Sequence, residues 1–296
     1  MTTLSKANRS KQYLIGSAFI APALCFLFIF LILPAFLSLG YSFYNYNMLR
    51  PDAKSFIGFE NYQEIFSDKS FFKALWNTCY FVIIVVPCQT GVALMLAILV
   101  NKKVKTSQFA RLCFFAPVVT SMVVISLLWT ILYNKDSGVI NAILSNFNIP
   151  PQPFLLSDKQ AMNSIIVMSI WQAAGYQMMI FLAGLQDIPS SYYEAASIDG
   201  ASNFQQFCHI TLPSLRNVSN FVILVTTIQA FKLFTQPYVM TGGGPNESTQ
   251  TLVLTIYQQG MQYRNLGYAS AISVSMFVII LVVTFALKLL LKTEED

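Results

Sequence analysis

Long stretches without a charged side chain are the feature that most limits what this chain can fold into. Five such stretches lie between Lys11 and Arg50, Lys73 and Lys102, Arg111 and Lys135, Lys159 and Asp187, and Arg264 and Lys288. A helix that crosses a bilayer needs about 20 mostly apolar residues, and a charge at the bilayer centre is costly. The stretches therefore predict five membrane-spanning helices.

A sixth span is predicted from Arg216 to Met240, where Lys232 is the only charge inside the apolar stretch. Its amine could extend to the membrane surface or face a polar cavity, and we favour the membrane surface. Residues 137–157 also lack charge, but prolines and asparagines in this segment would leave backbone groups without partners in lipid. We therefore expect these residues to form an external loop.

Together the stretches predict an all-α polytopic membrane protein with six transmembrane helices. The predicted spans cover residues of about 13–44, 74–100, 109–133, 161–185, 216–240 and 267–291. Residues 1–12 would form a cytoplasmic N-terminal tail, and residues 13–292 the transmembrane domain. Only 10% of the residues are charged, against about 25% in soluble domains, and no segment is long enough for a separate soluble core.

The distribution of basic residues predicts that both termini lie in the cytoplasm, because Lys and Arg are enriched in cytoplasmic loops. In this orientation ten basic residues lie inside and seven outside. The turn 101–111 carries four bases and no acid, whereas the loop 45–73 contains four acids beside its bases. Attraction to the anionic inner leaflet then explains the net charge of +5, and no nucleic-acid partner is expected.

The longest cytoplasmic connection in this orientation is the segment 186–215, which predicts two short helices. The first covers Tyr192–Ile198, and Asp199-Gly200 interrupts it because Gly can take a positive φ. The second covers Ala201–Ile210, and Pro213 marks its end. From the residues alone, an interfacial amphipathic hairpin and a docking element for a partner protein both remain open.

A fixed motif extends over twenty residues of this segment, with Glu194-Ala195-Ala196 followed by Gly200, Ile210 and Leu212-Pro213. It resembles the EAA loop of binding-protein-dependent ABC importer permeases. The resemblance implies the type I ABC importer permease fold, with residues 186–215 coupling the permease to a cytosolic ATPase. Glu194 would make a charged contact with that ATPase, and Gly200 would form the turn. The residues assigned to coupling in this way are Glu194, Ala195, Ala196, Asp199, Gly200, Ile210, Leu212 and Pro213.

A second segment, Thr241–Pro245, has the sequence TGGGP and predicts a flexible turn that leads into a short surface helix. It lacks the Lys-Ser/Thr of a phosphate-binding loop, so that no ATPase site is expected in this chain. It resembles the TxGGP signature of sugar-type permeases related to the larger membrane subunit of the maltose transporter and to glycerol-3-phosphate permeases. Further similar segments are Pro22 and Pro34, 58–62, 76–78, Arg111, Pro117 and Trp171.

Polar and aromatic residues in the fourth and fifth spans are the candidates for contact with a solute. A sugar needs aromatic faces against its ring and amides or hydroxyls against its hydroxyl groups. Hydrogen bonds to a partner subunit would explain the same polar residues, since polar groups in spans are rarely left facing lipid. The candidates for the substrate pathway are Trp171, Gln172, Tyr176, Gln177, Thr226 and Gln229.

By resemblance, the chain is expected to form half of the translocation pathway of an ABC importer for a mono- or oligosaccharide. The expected partners are a second homologous permease in a heterodimer, two copies of a cytosolic ATPase, and an extracellular or periplasmic solute-binding protein. The chain itself would bind no cofactor, and the ATPase subunits would use ATP and Mg²⁺. The expected location is the bacterial cytoplasmic membrane, with the chain crossing it several times.

Other functions are weighed against this one. An ABC permease for glycerol phosphate, amino acids or peptides would share the loop. An ion-coupled secondary transporter would carry ionisable residues in its spans, and Lys232 is the only one here. A membrane enzyme would need paired carboxylates or a histidine cluster, whereas this chain has the single histidine His209. No catalytic or metal site is therefore expected, and the five cysteines are interpreted as small packing residues.

Overall fold

The computed structural model describes residues 6–101 and 105–291. Residues 1–5 of the predicted tail and the predicted cytoplasmic bases Lys102, Lys103 and Lys292 lie outside these ranges. The predicted all-α class is confirmed, because strands in the described part of the chain are limited to two short segments. Contacts divide the chain into two units, one of residues up to Ser67 with Ile256–Ser275 and the other of Asp68–Thr255 with the residues after Ser275.

The first unit begins with an apolar helical run whose three segments are continuous. They are α1 (Lys6–Leu27), a π-helical turn (Phe28–Ile32) and α2 (Leu33–Tyr41). A small hairpin of β1 (Tyr44–Asn45) and β2 (Ser55–Phe56) follows, with a 3₁₀ turn at Pro51–Ala53, and then α3 (Glu60–Ser67). Asn61 is buried, and its side-chain amide donates to the carbonyls of Ser42 and Tyr44 at 2.8 and 3.0 Å. These two bonds fix the start of the β1–β2 strand pair against α3.

The described residues of the second unit form helices joined by loops. In chain order its elements are α4 (Lys69–Val100), α5 (Lys105–Val119), α6 (Met122–Leu132), α7 (Val139–Ser145), a 3₁₀ turn (Phe154–Leu156), α8 (Ala161–Gln186), α9 (Ser190–Ile198), α10 (Asn203–Gln206), a π-helical turn (Phe207–Thr211), α11 (Leu212–Ser214), α12 (Arg216–Phe231) and α13 (Thr235–Met240). The last elements of the chain are α14 (Leu252–Tyr257), a π-helical turn (Gln258–Gln262) and α15 (Leu266–Leu290).

The core of the second unit lies where α4, α8 and α12 meet. Ala93 and Ala97 of α4 are fully buried and pack with Met178 and Phe181 of α8. Small residues one turn apart allow helices to approach closely where water cannot drive them together. Gly175 of α8 serves the same purpose against α5, because a Cβ there would overlap the carbonyl of Phe114. The close packing of α8 places its polar residues at fixed positions.

Five helical segments in the described part of the chain are long and apolar enough to span a membrane. They are Ser17–Tyr41, Lys69–Val100, Ala161–Gln186, Arg216–Met240 and Leu266–Leu290. The sixth candidate is the pair α5 and α6, which is bent by 99°. The bent pair therefore brings the number of candidate spans to the predicted six.

The prediction of one continuous helix over residues 109–133 is wrong. Helix α5 ends at Val119 and α6 begins at Met122, after Ser121 has taken an extended conformation with ψ 130°. Pro117 lies just before this break and lacks the amide hydrogen that a continuous helix would use. Charge-free stretches report only that a segment is apolar, so they contain no information on whether its helix is interrupted.

Candidate functional site

A cavity of about 340 Å³ lies in the second unit, between α4, α8 and α12. Five of the six residues predicted for the substrate pathway line it together. They are Gln172, Tyr176, Gln177, Thr226 and Gln229. The spacing on α12 explains part of this result, because Thr226, Gln229 and Leu233 follow one face of a helix and all three border the cavity.

Trp171 is the sixth predicted residue, and it does not line the cavity. Its side chain is 48% exposed, and its ring centroid lies 5.5 Å from that of Trp129 on α6. Consecutive residues of an α-helix point about 100° apart, and here the Trp171 ring packs against Trp129 while the side chain of Gln172 borders the cavity. Trp171 thus lies outside this cavity, and its contact with solute stays a prediction.

The polar groups of the cavity wall are only partly satisfied within the chain. The amide nitrogen of Gln177 donates to the hydroxyl of Thr226, which links α8 to α12. The amide nitrogen of Gln172 donates to the Pro117 carbonyl at 3.3 Å. The amide oxygen of Gln177 and the hydroxyl of Ser169 have no partner among the described residues, although each side chain is only 5% exposed. A hydrogen-bond partner for either atom would have to come from outside the described residues.

Hydrogen bonding between helices was the alternative explanation for the polar candidates of the substrate pathway. It applies to the pair Gln177 and Thr226. Gln177 and Thr226 do bond to each other, but within this chain and not with a partner subunit. The bond uses only the donor side of the Gln177 amide, and the acceptor oxygen is the atom without a partner. The same residue therefore supports the packing of α8 on α12, lines the cavity and carries a buried acceptor without a partner.

Several cavity residues were not predicted as part of the site. Gln89 of α4 is buried there and Ser169 of α8 borders it, and both could have been found as polar residues inside apolar stretches. Gln236 and Lys232 also line the cavity. For Lys232 the sequence favoured the membrane surface, whereas the structure places it on the cavity wall, which is the other alternative considered.

A break in the fifth predicted span forms one edge of the cavity. Helix α12 ends at Phe231 and α13 begins at Thr235, so residues 232–234 are not helical. The hydroxyl of Thr251 donates to the Leu233 carbonyl at 2.9 Å and so satisfies one group that the break exposes. Irregular backbone at membrane depth is tolerated where it lines a cavity or is buried in protein. The break is thus expected at a binding site.

The TGGGP segment is more ordered than the predicted flexible turn. Two of its glycines have positive φ, +61° at Gly242 and +96° at Gly243, which only glycine adopts readily. The hydroxyls of Thr241 and Thr249 lie 2.6 Å apart, and Thr249 is fully buried. We call residues Thr241–Gln250 the glycine loop. The sequence did not reveal the hydrogen bonds within the glycine loop, because the residues that they join, such as Thr241 and Thr249, are not adjacent along the chain.

The first turns of α4 anchor the glycine loop. The side-chain amide of Asn77 donates to the carbonyls of Glu247 and Gln250, at 2.8 and 2.9 Å. The backbone amide of Leu252 donates to the Thr78 hydroxyl at 3.1 Å, and Lys73 and Glu247 form an ion pair at 3.8 Å. Residues 76–78 and 241–249 were both singled out in the sequence, and the structure brings these two segments together.

The predicted two-helix segment is present, and we call residues Ser190–Ser214 the hairpin. Its first helix α9 ends in a Schellman motif, in which the amides of Gly200 and Ala201 donate to the carbonyls of Ser197 and Ala196. Gly200 has the expected positive φ, +79°. Ser202 and Gln205 form a capping box that starts α10.

The second part of the hairpin ends later than predicted. Pro213 does not mark its end, because the helical run continues through α11 to Ser214, and α12 starts at Arg216. Pro213 is the second residue of α11, which follows the π-helical turn without a break, so it lies near the end of a continuous helical run. The preceding π-helical turn, Phe207–Thr211, was not predicted and contains the predicted coupling residue Ile210.

The tip of the hairpin exposes apolar side chains. Ile198 is 87% exposed and Phe204 is 75% exposed, and the predicted contact residue Glu194 is also exposed. The two limbs are joined below the tip, where the Tyr193 and Thr211 hydroxyls lie 2.9 Å apart. The remaining predicted coupling residues lie along the same segment, with Ala195, Asp199, Gly200, Leu212 and Pro213 exposed and Ala196 and Ile210 half-buried.

Comparison with known proteins decides the family. The sequence model of the family described as "Binding-protein-dependent transport system inner membrane component" matches residues 89–293, which include α8, the hairpin and the glycine loop. The chain belongs to this family. The suspected relationship to the EAA-loop permeases is thereby confirmed, and the protein is a multi-pass membrane permease of the ABC transporter class.

Relatives over the whole length agree with this assignment. The permease is 38% identical to "Probable ABC transporter permease protein YurN" of Bacillus subtilis (strain 168), over 96% of each chain. It is 33% identical to "Sulfoquinovosyl glycerol transport system permease protein SmoG" of Agrobacterium fabrum (strain C58 / ATCC 33970), over 95% of this chain and 92% of that protein.

A solved structure supports the fold. The permease matches a chain of a bacterial ABC transporter involved in the import of the acidic polysaccharide alginate, with a TM-score of 0.85 and 21% sequence identity. The match covers 98% of this chain and 99% of the other chain. The predicted type I importer permease fold is thereby confirmed.

Proposed function

We propose that this permease forms half of the translocation pathway of a bacterial ABC importer for a carbohydrate. The observation that carries the proposal is the cavity between α4, α8 and α12. Its volume lies within the range of about 300–1,000 Å³ typical of small-molecule sites. Carbohydrate names among the full-length relatives support the same solute class.

The chemistry of the cavity wall suits a sugar. Sugar rings present apolar C–H faces that pack on aromatic rings, and Tyr176, Phe81 and Phe234 supply such rings. Sugar hydroxyls both donate and accept, so they match amide and hydroxyl groups. Gln177 and Ser169 each have an atom without a protein partner that a sugar hydroxyl could satisfy. In the complete transporter a second, homologous permease would close the other side of the pathway in a heterodimer.

The hairpin is the proposed contact with the motor. Exposed apolar side chains on a short, well-capped element favour docking to another protein. We propose that two cytosolic ATPase subunits use ATP and Mg²⁺, and that one of them receives Ile198, Phe204 and Glu194 of this hairpin. The permease itself would hydrolyse no ATP. This requires both termini to lie in the cytoplasm, in the bacterial cytoplasmic membrane, with a solute-binding protein delivering sugar on the opposite side.

The test is uptake of labelled mono- and oligosaccharides by proteoliposomes that contain the permease, its partner permease, the ATPase and the binding protein. Uptake should require ATP on the hairpin side and every one of these components. Glu194→Ala should lower the uptake obtained per ATP hydrolysed, whereas Glu64→Ala, at an exposed glutamate of α3, should not. Uptake by this chain alone under an ion gradient would contradict the proposal and favour a secondary carrier.

A further inference from the structure

Lys232 carries the only formal charge on the cavity wall. The residues that line the cavity, all in the described part of the chain, include no Asp, Glu, Arg or His. No carboxylate of residues 6–101 or 105–291 forms an ion pair with Lys232. A cation held within a membrane-spanning segment is costly, and such residues usually face a cavity and serve a partner or a ligand. The side chain of Lys232 is exposed, so its ammonium group is accessible to a group from outside the described chain.

The position of Lys232 is set by the break after α12. Its amide donates to the Gln229 carbonyl at 3.1 Å and closes the last turn of the helix. A cation at a helix C-terminus interacts favourably with the last carbonyls, and this contact alone would explain a lysine at the end of α12. It does not explain why the side chain borders a cavity whose other polar groups are all amides and hydroxyls.

Two further atoms show that the cavity is arranged for a polar ligand. The residues Gln177 and Ser169 line the cavity with Lys232. The Gln177 amide oxygen and the Ser169 hydroxyl are buried, and neither has a hydrogen-bond partner among the described residues. Leaving such atoms unpaired in a buried site destabilises a fold, so their presence indicates a ligand that pairs with them. Amides and hydroxyls can bind sugar hydroxyls, but only the ammonium group can neutralise an anion.

We propose that the transported carbohydrate is acidic, and that Lys232 binds its carboxylate, phosphate or sulfonate group while Gln177 and Ser169 bind hydroxyl groups. The proposal rests on the proposed function as a carbohydrate permease and specifies the class of sugar. A hydrogen bond between an ammonium group and an anion is roughly twice as strong as one between neutral groups. Lys232 thus selects acidic over neutral sugars at the permease itself.

The test compares pairs of sugars that differ only in their acidic group, in proteoliposomes containing the complete transporter. Suitable pairs are digalacturonate with its dimethyl ester, glucose 6-phosphate with glucose, and a sugar 6-sulfonate with the 6-deoxy sugar. The three pairs distinguish carboxylate, phosphate and sulfonate as the anion. Since the binding protein is the same in every preparation, a changed ratio of acidic to neutral uptake belongs to the permease.

We expect the wild-type transporter to import the acidic sugar of at least one pair. Lys232→Met should lower that uptake about tenfold, the loss expected for a charge-assisted hydrogen bond, and leave uptake of its neutral partner unchanged. Lys232→Arg should keep most of the acidic uptake, because it keeps the charge. Lys288→Met is the matched control, since Lys288 also lies at a helix C-terminus but outside the cavity, and it should not change the ratio.

Four results would overturn the proposal. Equal loss of acidic and neutral uptake in Lys232→Met would assign Lys232 a structural role. Import of neutral sugars alone would reject the acidic solute and leave the carbohydrate importer standing, whereas import of no sugar of either kind would reject both. A structure of the complete transporter with Lys232 paired to a carboxylate of the partner permease would also reject it.

Discussion

The cavity and the hairpin both depart from the usual pattern of apolar residues inside and polar residues outside, but in opposite directions. The cavity places buried polar residues such as Gln177 and Gln89 inside apolar helices. The hairpin places exposed apolar residues, Ile198 and Phe204, on a segment outside the predicted spans. Each departure is unfavourable for the chain by itself. The comparison agrees with the two proposals, that a small polar ligand completes the cavity and that a protein surface completes the hairpin.

The largest expected effect tests the hairpin side of this comparison. Ile198→Asp and Phe204→Asp together should weaken ATPase binding by about 2–4 kcal/mol, because buried anchors at the centre of an interface dominate its binding energy. Co-purification and titration with the ATPase subunit measure this loss. The pair should not change the thermal stability of the permease alone, since both side chains are exposed.

Phe147→Asp is the matched control for these hairpin variants. Phe147 is exposed, but it lies between α7 and the 3₁₀ turn and not in the hairpin. We expect it to leave ATPase binding unchanged. Equal weakening by Phe147→Asp, or undiminished binding by the hairpin pair, would contradict the assignment of the hairpin as the docking element.

The stability of the fold around the cavity should depend on hydrogen bonds within the chain, and a substitution at Asn77 tests this. Asn77→Ala removes the donor for the carbonyls of Glu247 and Gln250, and the loss of a buried donor costs about 1–3 kcal/mol. Thr251, the residue directly after the glycine loop, holds the edge of the cavity through its bond to Leu233, so the permease alone should unfold at lower temperature. Asn217→Ala, at an exposed asparagine of α12, should be neutral. Unchanged stability of Asn77→Ala would show that the loop is not the support of the cavity.

Gly200 tests whether the shape of the hairpin matters separately from its contacts. A Cβ at Gly200 meets no neighbouring atom, so space is not limiting, but the φ of +79° strains other residues by about 1–2 kcal/mol. Gly200→Val should therefore lower ATP-driven uptake about tenfold. Gly200→Asn should retain most of it, because Asn tolerates the left-handed conformation. If Gly200→Val and Gly200→Asn lower uptake equally, the left-handed conformation of the turn is not what couples ATP hydrolysis to uptake.

Much of both regions could be predicted from local sequence, and the errors have a common cause. The Gly200 turn follows from one residue type, and five pathway residues follow from polar side chains inside apolar stretches. The break between α5 and α6 and the anchoring of the glycine loop by Asn77 were not predicted. Both depend on how a segment packs against partners elsewhere in the chain, which the local pattern of apolar and polar residues does not specify.

Gln177 gives the smallest expected effect and the sharpest test of the cavity. Gln177→Leu keeps the volume but removes the orphan amide oxygen, and the Thr226 hydroxyl still donates to the Val222 carbonyl. Solute affinity should therefore fall about fivefold, the effect of one hydrogen bond worth about 1 kcal/mol, with ATPase binding unchanged.

Trp171 supplies the control that decides between an aromatic and an amide contact. Trp171→Leu alters a large aromatic residue in the same helix that faces Trp129 and not the cavity, so uptake should follow the wild-type dependence on sugar concentration. The two variants are compared in the same proteoliposomes. A larger loss of affinity in Trp171→Leu than in Gln177→Leu would contradict the cavity as the binding site and favour the face of α8 that carries Trp171.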